Sequence, residues 1–395
     1  MKFKQLTLKR GKDSSLLRYH PWIFSGAIAA KEQGITDGDI VKVYTHEGKF
    51  IAVGHYQTGS IAVRILSFAD EEIDYSFWRS RLQSALNLRR DIGLTDLEGN
   101  NTFRLVHGEG DNLPALIVDI YGKTAVVQAH SAGMHHARHE IAKAIQDVTD
   151  GMIEAVYYKS GTTLPFAEEL NASDCFLIGK SNDNIALEYG LKFHIDWLNG
   201  QKTGFFVDQR ENRRLVEQYA RNRRVLNMFC YTGGFSAYAL RGGADTVHSV
   251  DSSAKAIDLT RENIALNFPD CKNHDAYAED AFKFLQNMQS GTYDFIILDP
   301  PAFAKHLDAV RSALRGYQKL NAKAFEKIAH GGIMFTFSCS QAINKEQFRL
   351  AVFSAAAQTG RKVRILHQLH QPADHPVNIY HPEGEYLKGL VLYVE

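Results

Sequence analysis

Residues 225–236 read V-L-N-M-F-C-Y-T-G-G-F-S. A short apolar run ends in a loop carrying Thr232, Gly233 and Gly234, and a helical pattern follows from Phe235. Strand, glycine turn and helix in that order open a doubly wound α/β sheet. Paired glycines let the backbone approach a ligand that a Cβ would push away. About 20 residues further on, V-H-S-V-D ends a second apolar run at Asp251. An acid there is placed to bind the ribose hydroxyls of an adenosine-containing cofactor. The pattern G-x-G-x-x-G is absent. No glycine cluster here would cradle a pyrophosphate, which argues against NAD or FAD and for a cofactor without phosphates.

The chain of 395 residues has room for two or three domains. Its 45% hydrophobic and 23% charged residues fit a globular protein. Lys+Arg and Asp+Glu are both 45, so no global field draws the molecule onto nucleic acid. RNA affinity would have to come from local patches. Four cysteines without C-x-x-C spacing make no disulfide framework and fit a reduced compartment. There is no apolar stretch of membrane-spanning length and no signal-peptide h-region, so the expected location is the cytoplasm, away from membranes.

Residues 1–70 read as a small β-barrel, with I-V-K-V-Y-T, K-F-I-A-V-G-H-Y and I-A-V-R-I-L separated by turn residues. The first thirty residues carry Lys2, Lys4, Lys9, Arg10, Lys12 and Arg18 against Asp13, next to His20, Trp22 and Phe24. Cations beside aromatics suit phosphate contact and base stacking, and equally a solvated basic face beside core aromatics. Residues 71–180 read as an α+β domain. It includes an amphipathic helix from Tyr75 with a basic outer face and a helical pattern around His135–Ile145. His135, His136 and His139 lack H-E-x-x-H and a third ligand, so no metal is expected.

From residue 181, I-A-L-E-Y-G-L-K-F-H-I-D-W reads as a β-hairpin. The next stretch passes into a helix through Asp208, a fair N-cap, whose Arg210, Arg213 and Arg214 read as a solvated or phosphate-facing surface. Ser252 or Ser253 caps a later helix, and Asp280 sits at a strand-to-helix junction. Y-D-F-I-I-L-D-P-P ends a strand at Asp299. Pro300 and Pro301 stiffen the loop and remove two N–H donors, leaving acceptors suited to a nucleobase amino group. G-G-I-M-F-T-F-S-C-S ends another buried strand at Cys339, a position where cysteine is usually an inert small hydrophobe. Two last strands close the sheet.

The 225–236 unit resembles motif I of class I S-adenosylmethionine-dependent methyltransferases. N-M-F-C-Y-T-G-G-F-S, with D-P-P, F-S-C-S, the N-terminal R-Y-H-P-W-I-F, G-E-G-D-N-L-P-A-L-I-V-D and the tail D-H-P-V and Y-L-K-G, is similar to the RlmI family. These are bacterial enzymes that make 5-methylcytosine in large-subunit ribosomal RNA. The resemblance implies a mostly parallel Rossmann-like sheet with an antiparallel last strand in 181–395, a PUA-like RNA-binding barrel in 1–70 and an α+β middle domain in 71–180. It implies S-adenosylmethionine held by Lys202, Phe206, Asp208, Asn227, Phe229, Tyr231, Thr232, Gly233, Gly234, Ser236, Asp251, Ser252, Asn263, Asp280, Ala281, Asp299 and Pro300. RNA contact falls to Lys9, Arg10, Arg18, His20 and Trp22, and His375 borders the substrate pocket or is structural. Ala302 stands where the family has lysine. Ribosomal RNA is the expected partner, and a homodimer is left open.

Cys339 takes a sharp role under this resemblance. Carbon 5 of cytosine is a poor nucleophile, and a thiolate adding to carbon 6 turns the ring into an enamine that can take a methyl group. Asp299 would hold the amino edge of the ring or share a proton at N3. An ordinary thiol pKa of about 8.5 would make the rate rise with pH around neutrality.

Overall fold

The computed structural model describes residues 3–95, 97–165, 167, 169–304 and 307–395, without the side chain of Leu307. Lys2 lies outside the described residues. The chain divides into two compact units. The first comprises Met1–Gly190, Ile195–Val207 and Ala373–Gly384, the second Leu191–His194, Asp208–Pro372 and Glu385–Glu395.

The first unit opens with β1 (Lys4–Leu8), β2 (Trp22–Phe24), β3 (Ile28–Lys31), β4 (Ile40–Tyr44), β5 (Phe50–Tyr56) and β6 (Ile61–Ser67), in the order β2-β6-β5-β4-β1-β3. Alternating residues such as Leu6, Leu8, Val41, Val43, Val63 and Ile65 face one apolar cluster. A Cβ on Gly54 would lie 2.3 Å from the Arg64 carbonyl, so β5 and β6 can pair closely only around glycine.

Helix α1 (Tyr75–Asp91) follows, started by the Asp74 carboxylate accepting the Phe77 N–H at 3.0 Å. It packs Phe77, Trp78, Leu82 and Leu86 into the core of a second sheet. That sheet has β7 (Thr102–His107), β8 (Leu116–Tyr121), β9 (Thr124–Ala129), β10 (Ala155–Tyr158) and β11 (Cys175–Ile178), in sequential order. Two helices, α2 (Ala132–His136) and α3 (Arg138–Val148), lie between β9 and β10. The basic outer face expected of α1 is corrected at Arg89. Its side chain is fully buried, paired with Asp111, and donates to the carbonyls of Arg104 at 2.7 Å and Asp374 at 2.6 Å. Buried acceptors, not water, satisfy this guanidinium. His135 is also buried, with Nδ1 2.7 Å from the Tyr158 hydroxyl, and no metal-holding cluster occurs among the described residues. His375 lies in this unit, buried beside Asp374 and the His107 ring.

Strands β12 (Ile185–Glu188) and β13 (Leu191–His194) flank Tyr189 and Gly190, which turn the chain at φ 48° and 83°. The second unit then alternates α4 (Arg210–Tyr219), β14 (Arg224–Met228), α5 (Gly234–Arg241), β15 (Thr246–Asp251), α6 (Ala254–Asn267), β16 (His274–Ala278), α7 (Ala281–Asn287) and β17 (Phe295–Leu298). It ends with α8 (Val310–Lys327), β18 (Gly332–Ser338), α9 (Lys345–Thr359), β19 (Val363–Leu369) and β20 (Lys388–Val394). The strand order is β16-β15-β14-β17-β18-β20-β19. The ladders from β16 to β18 are parallel, and β20 runs antiparallel to both β18 and β19.

Every residue of β17 and β18 is buried, as expected for strands covered on both faces. Neighbours along a strand point to opposite cores. Val225, Phe295 and Phe335 pack with Val216 and Ala239, while Leu226, Ile296 and Met334 pack with Leu320, Phe325 and Phe348. The order turns back at β14, between β15 and β17. In such a sheet the ligand crevice lies at the C-terminal strand ends of this switch point. The loops after β14 and β17 leave the sheet there, and the loop after β18 leaves from the same edge.

Candidate active site

The chain leaves β14 through a strained loop. Phe229 and Tyr231 hold left-handed φ of 59° and 47°, and Gly233 follows at 78°. For a non-glycine residue this costs on the order of 1–3 kcal/mol, so the surroundings must fix it. They do so at each step. The Cys230 N–H donates to Val250 at 3.1 Å and the Thr260 hydroxyl to the Tyr231 carbonyl at 2.8 Å. The Asn263 amide donates to the Thr232 carbonyl at 2.9 Å. A Cβ on Gly233 would sit 2.6 Å from Thr260.

Asp251 receives the Tyr231 N–H on Oδ2 at 3.0 Å and the Ser253 N–H on Oδ1 at 2.9 Å. It is only partly buried. One N–H on each oxygen leaves acceptor capacity for a diol. A cradle narrowed to glycine, an acid at the next strand end and no phosphate-binding glycine cluster fit S-adenosylmethionine. Asn227, Ser236 and Asn263 have no exposed surface. Asn227 donates to Ser236 at 2.9 Å, and the Ser236 hydroxyl lies 2.7 Å from that of Ser249. These three side chains brace the loop and the start of α5 from inside. Thr232 is nearly as buried. Gly234 carries the start of α5, and Ser252 is exposed, the cap of α6 being Ser253. Asp280 is exposed and caps α7 through the Lys283 N–H at 3.0 Å, ahead of buried Ala281.

Asp299 follows β17, partly buried. The Gln209 amide donates to its Oδ2 at 3.0 Å, and Gln209 is held by the Asn212 amide at 2.6 Å. Burial, and then the Asp208 charge, push the Asp299 carboxyl up to about 7, against the pull of Gln209 and Arg213. Asp208 accepts the Tyr386 hydroxyl at 2.7 Å on one oxygen, and its other oxygen is buried without a partner among the described residues. It does not cap α4: Gln209 stands at the cap position, with no side-chain cap bond. The arginine expectation is also corrected. Arg210 and Arg213 are buried, and Arg213 lies where a Cβ on Gly234 would meet it at 3.0 Å, while Arg214 is exposed.

Pro300 is buried, and its carbonyl oxygen lies 4.0 Å from Cys339 Sγ. Cys339 is partly buried between buried Ser338 and Ser340. Burial, then Asp299 and Asp208, push its thiol up to about 12, and Lys388 is the cation that opposes them. Asp208, Asp299, Pro300 and Cys339 thus converge. Cys230 is a buried thiol, also pushed up to about 12 by burial. Gln209 and Lys388 were not singled out from the sequence, and Arg213 was read there as a helix surface residue. A lone lysine in the strand K-G-L-V-L-Y-V was a usable signal; Gln209 gave none.

In the first unit, Lys9, Arg10 and Arg18 are exposed. Trp22 donates its indole N–H to Glu109 at 2.8 Å, and the partly buried His20 ring lies 6.2 Å from that of Trp22. Tyr19 and Phe24 are 52% and 49% exposed, so the aromatic run is not simply core. A cavity of about 470 Å³ is lined by Tyr19, Phe68, Arg81, Asn112 and Tyr380, and one of about 380 Å³ by Lys12, Trp22 and Phe24. Lys202 is exposed at φ 52° and Phe206 is partly buried; both belong to this unit, whereas Asp208 belongs to the second.

Sheet order, loop and converging strand ends define the class of the second unit, an S-adenosylmethionine-dependent methyltransferase. Residues 169–384 match the family described as S-adenosylmethionine-dependent methyltransferase, and residues 6–68 match the PUA-like domain. The chain is 37% identical over 398 residues to ribosomal RNA large subunit methyltransferase I of Klebsiella pneumoniae (strain 342), covering 99% of this chain and 98% of that one. It is 39% identical over 392 residues to the Aeromonas hydrophila protein of the same name, covering 98% of each. The chain belongs to the ribosomal RNA large subunit methyltransferase I family. Among solved structures, a SAM-dependent methyltransferase from Streptococcus mutans aligns with a TM-score of 0.83 at 21% identity over 98% of this chain and 99% of that one. A methyltransferase solved with SAH aligns at 0.84 and 22%, with the same coverage. At that identity these two speak to the fold alone.

Proposed function

We propose that this chain methylates carbon 5 of a cytosine in large-subunit ribosomal RNA, through a covalent adduct on Cys339, in the cytoplasm. The carrying observation is the convergence of Cys339 with Asp299 and the Pro300 carbonyl at the ligand edge of the sheet. The name of the family relatives supports the RNA class. When bound, S-adenosylmethionine supplies an electrophilic methyl group on a sulfonium.

Phe229, Tyr231, Gly233 and Gly234 shape the cofactor cradle, Asp251 accepts from the ribose, and Asp280 accepts from the adenine amino group. The thiolate sulfur of Cys339 forms a bond to carbon 6, and the electron pair of the C5–C6 double bond makes carbon 5 nucleophilic. Asp299, which titrates near neutrality, holds a proton at N3, and the Pro300 carbonyl accepts from the exocyclic amino group. Once carbon 5 carries the methyl group, a base takes the carbon-5 proton, the C–H electron pair re-forms the C5–C6 double bond, and the C6–S pair leaves on sulfur as the Cys339 thiolate. In the first unit, the exposed cations Lys9, Arg10 and Arg18 and the aromatics around Trp22 supply phosphate contact and stacking. The reading includes chain divisions near residues 70 and 180.

The test is ribosomal RNA carrying 5-fluorocytosine at the target. Fluorine cannot leave as a proton does, so the wild-type enzyme should be trapped in a cofactor-dependent adduct that survives denaturing gels. Cys339→Ala should lose methyl transfer and keep RNA and cofactor affinity. Turnover by that variant with no adduct in the wild type would move the reading to another base or atom. RNA binding without any turnover would make the protein a binding or ribosome-assembly factor.

A further inference from the structure

We infer that Lys388 is a positioning residue for the reaction: its ammonium group is the counter-charge that makes the Cys339 thiol reactive. The inference rests on Cys339 being the nucleophile. Lys388 is only 4% exposed, in a strand otherwise built of glycine, apolar residues and a tyrosine. It lies opposite Ser338 in the β18–β20 ladder, one residue from the cysteine. Its Nζ donates to the carbonyls of Ser340 and Tyr386, each at 2.6 Å. The Ser340 carbonyl belongs to the residue directly after Cys339, so the clamp ties the ammonium to the cysteine turn itself. Two neutral carbonyls take two of three donors and bring no charge. A buried cation needs a compensating charge or loses its proton.

The charges around the pair point to the thiolate as that compensation. Cys339 feels Asp299 and Asp208, which hold it protonated, and Lys388, which opposes them. Lys388 feels Cys339 first, then Glu385, and Lys345 with the opposite sign. Glu385 is exposed and paired with Lys345 at 2.5 Å. Burial brings Lys388 down to about 8, so near neutrality both the charged and uncharged amine are accessible. When the thiolate forms, the S–H electron pair stays on sulfur and the proton passes to an uncharged Lys388 amine or to water. Where the amine is already charged, the ion pair replaces a buried thiol beside an uncompensated ammonium. Without Lys388, the charges bearing on Cys339 among the described residues would be the carboxylates of Asp299 and Asp208.

The experiment follows alkylation of Cys339 by iodoacetamide, read by peptide mass spectrometry on the full chain from pH 6 to 10, without RNA or cofactor. Lys388→Met keeps the length of the side chain and removes the charge. It should slow alkylation at pH 8 at least tenfold and move the profile upward by about one unit or more. Lys388→Arg should restore the rate to within threefold. A folded Lys388→Met protein with the wild-type rate and profile overturns the inference. If that variant does not fold, a 15N-lysine NMR titration of wild type and Cys339→Ser replaces it. The Lys388 midpoint should fall in Cys339→Ser, and an unchanged midpoint overturns the inference. A 5-fluorocytosine adduct with alkylation independent of Lys388 overturns this inference and leaves the covalent reading. Alkylation dependent on Lys388 with no adduct keeps the coupling and removes the covalent reading.

Discussion

The side-chain amide of Gln209 donates to Oδ2 of Asp299 at 3.0 Å, yet Asp299 stays well above the ordinary carboxylate range. One neutral donor does not offset burial and the neighbouring Asp208 charge. The consequence is a carboxyl that titrates at about 7, where it can carry a proton to a ring nitrogen and release it again.

Asp299 therefore links stability to pH. Its pKa is raised on folding, from 3.8 to about 7, so the folded state binds the extra proton between those values. Stability from this group is full below about 4 and is lost as pH rises toward 7. Asp299→Asn removes that loss. The stability gain of the variant over wild type should grow by about 2 kcal/mol between pH 5.5 and 8. Denaturant titrations at the two pH values check it, and a constant difference would mean that the folded-state carboxyl is not raised.

In the first unit, Asp111 pairs with fully buried Arg89 and accepts the His107 N–H at 2.6 Å. Asp111→Ala leaves a guanidinium in the core without its charge partner. The cost should be about 3–5 kcal/mol. Arg89→Met with Asp111→Leu should recover most of it, since an apolar pair carries no desolvation penalty. Thermal melts of the wild type and the two variants decide this, and a loss below about 1 kcal/mol in Asp111→Ala would show that water reaches the site.

The fold of the second unit was legible because its strands advertise themselves. Phe295–Leu298 and Gly332–Ser338 are continuous apolar runs ending in chemistry-bearing residues, and doubly covered parallel strands read that way. Capping was legible in part, a cap being a local signal: Asp280 caps α7 and, of Ser252 and Ser253, the second caps α6, whereas Asp208 does not cap α4. Charged side chains misled where tertiary contacts decide. Arg89, Arg210 and Arg213 look like surface residues in a one-dimensional reading, and all three are buried. Asn227, Ser236 and Asn263 lie in or near the right motif, but the pleat and the helix turn them inward. The Cys339 thiol also departs from the ordinary one expected, because burial first, and then the carboxylates of Asp299 and Asp208, distant in sequence, raise it. Methyl transfer limited by this thiolate should therefore rise further into alkaline pH than a free cysteine would allow.

Asp251 has two duties, and they can be separated. It fixes the Tyr231 and Ser253 N–H groups and keeps acceptor capacity for a ribose. Asp251→Ala removes both and should weaken S-adenosylmethionine binding at least tenfold, since hydrogen bonds to a charged group are worth about 1.5–3 kcal/mol. Asp251→Asn keeps one acceptor oxygen and should fall between. Calorimetry gives both affinities. An unchanged affinity in Asp251→Ala would remove the residue from the cofactor site.

The exposed cations and the aromatics of the N-terminal sheet predict two distinguishable kinds of RNA contact. Deleting the first 70 residues is the wrong test, because Trp22 is bonded to Glu109 and the Tyr19 ring lies 5.3 Å from that of Tyr380 within the same unit. Point substitutions avoid that damage. Arg10 and Arg18 are exposed, so replacing both by alanine leaves the fold intact. If each meets a phosphate of single-stranded RNA, the slope of log affinity against log salt should flatten by about 1.4, at about 0.7 per contact. Phe24 is 49% exposed beside the cavity that Trp22 and Lys12 also line. Phe24→Ala removes a stacking surface without a charge, so it should cost about 1–3 kcal/mol of RNA affinity and leave the salt slope unchanged. Fluorescence anisotropy with a ribosomal RNA fragment at several salt concentrations separates the two. An unchanged slope in the arginine double variant, with full affinity in Phe24→Ala, would place the RNA contact elsewhere and leave this sheet a structural role.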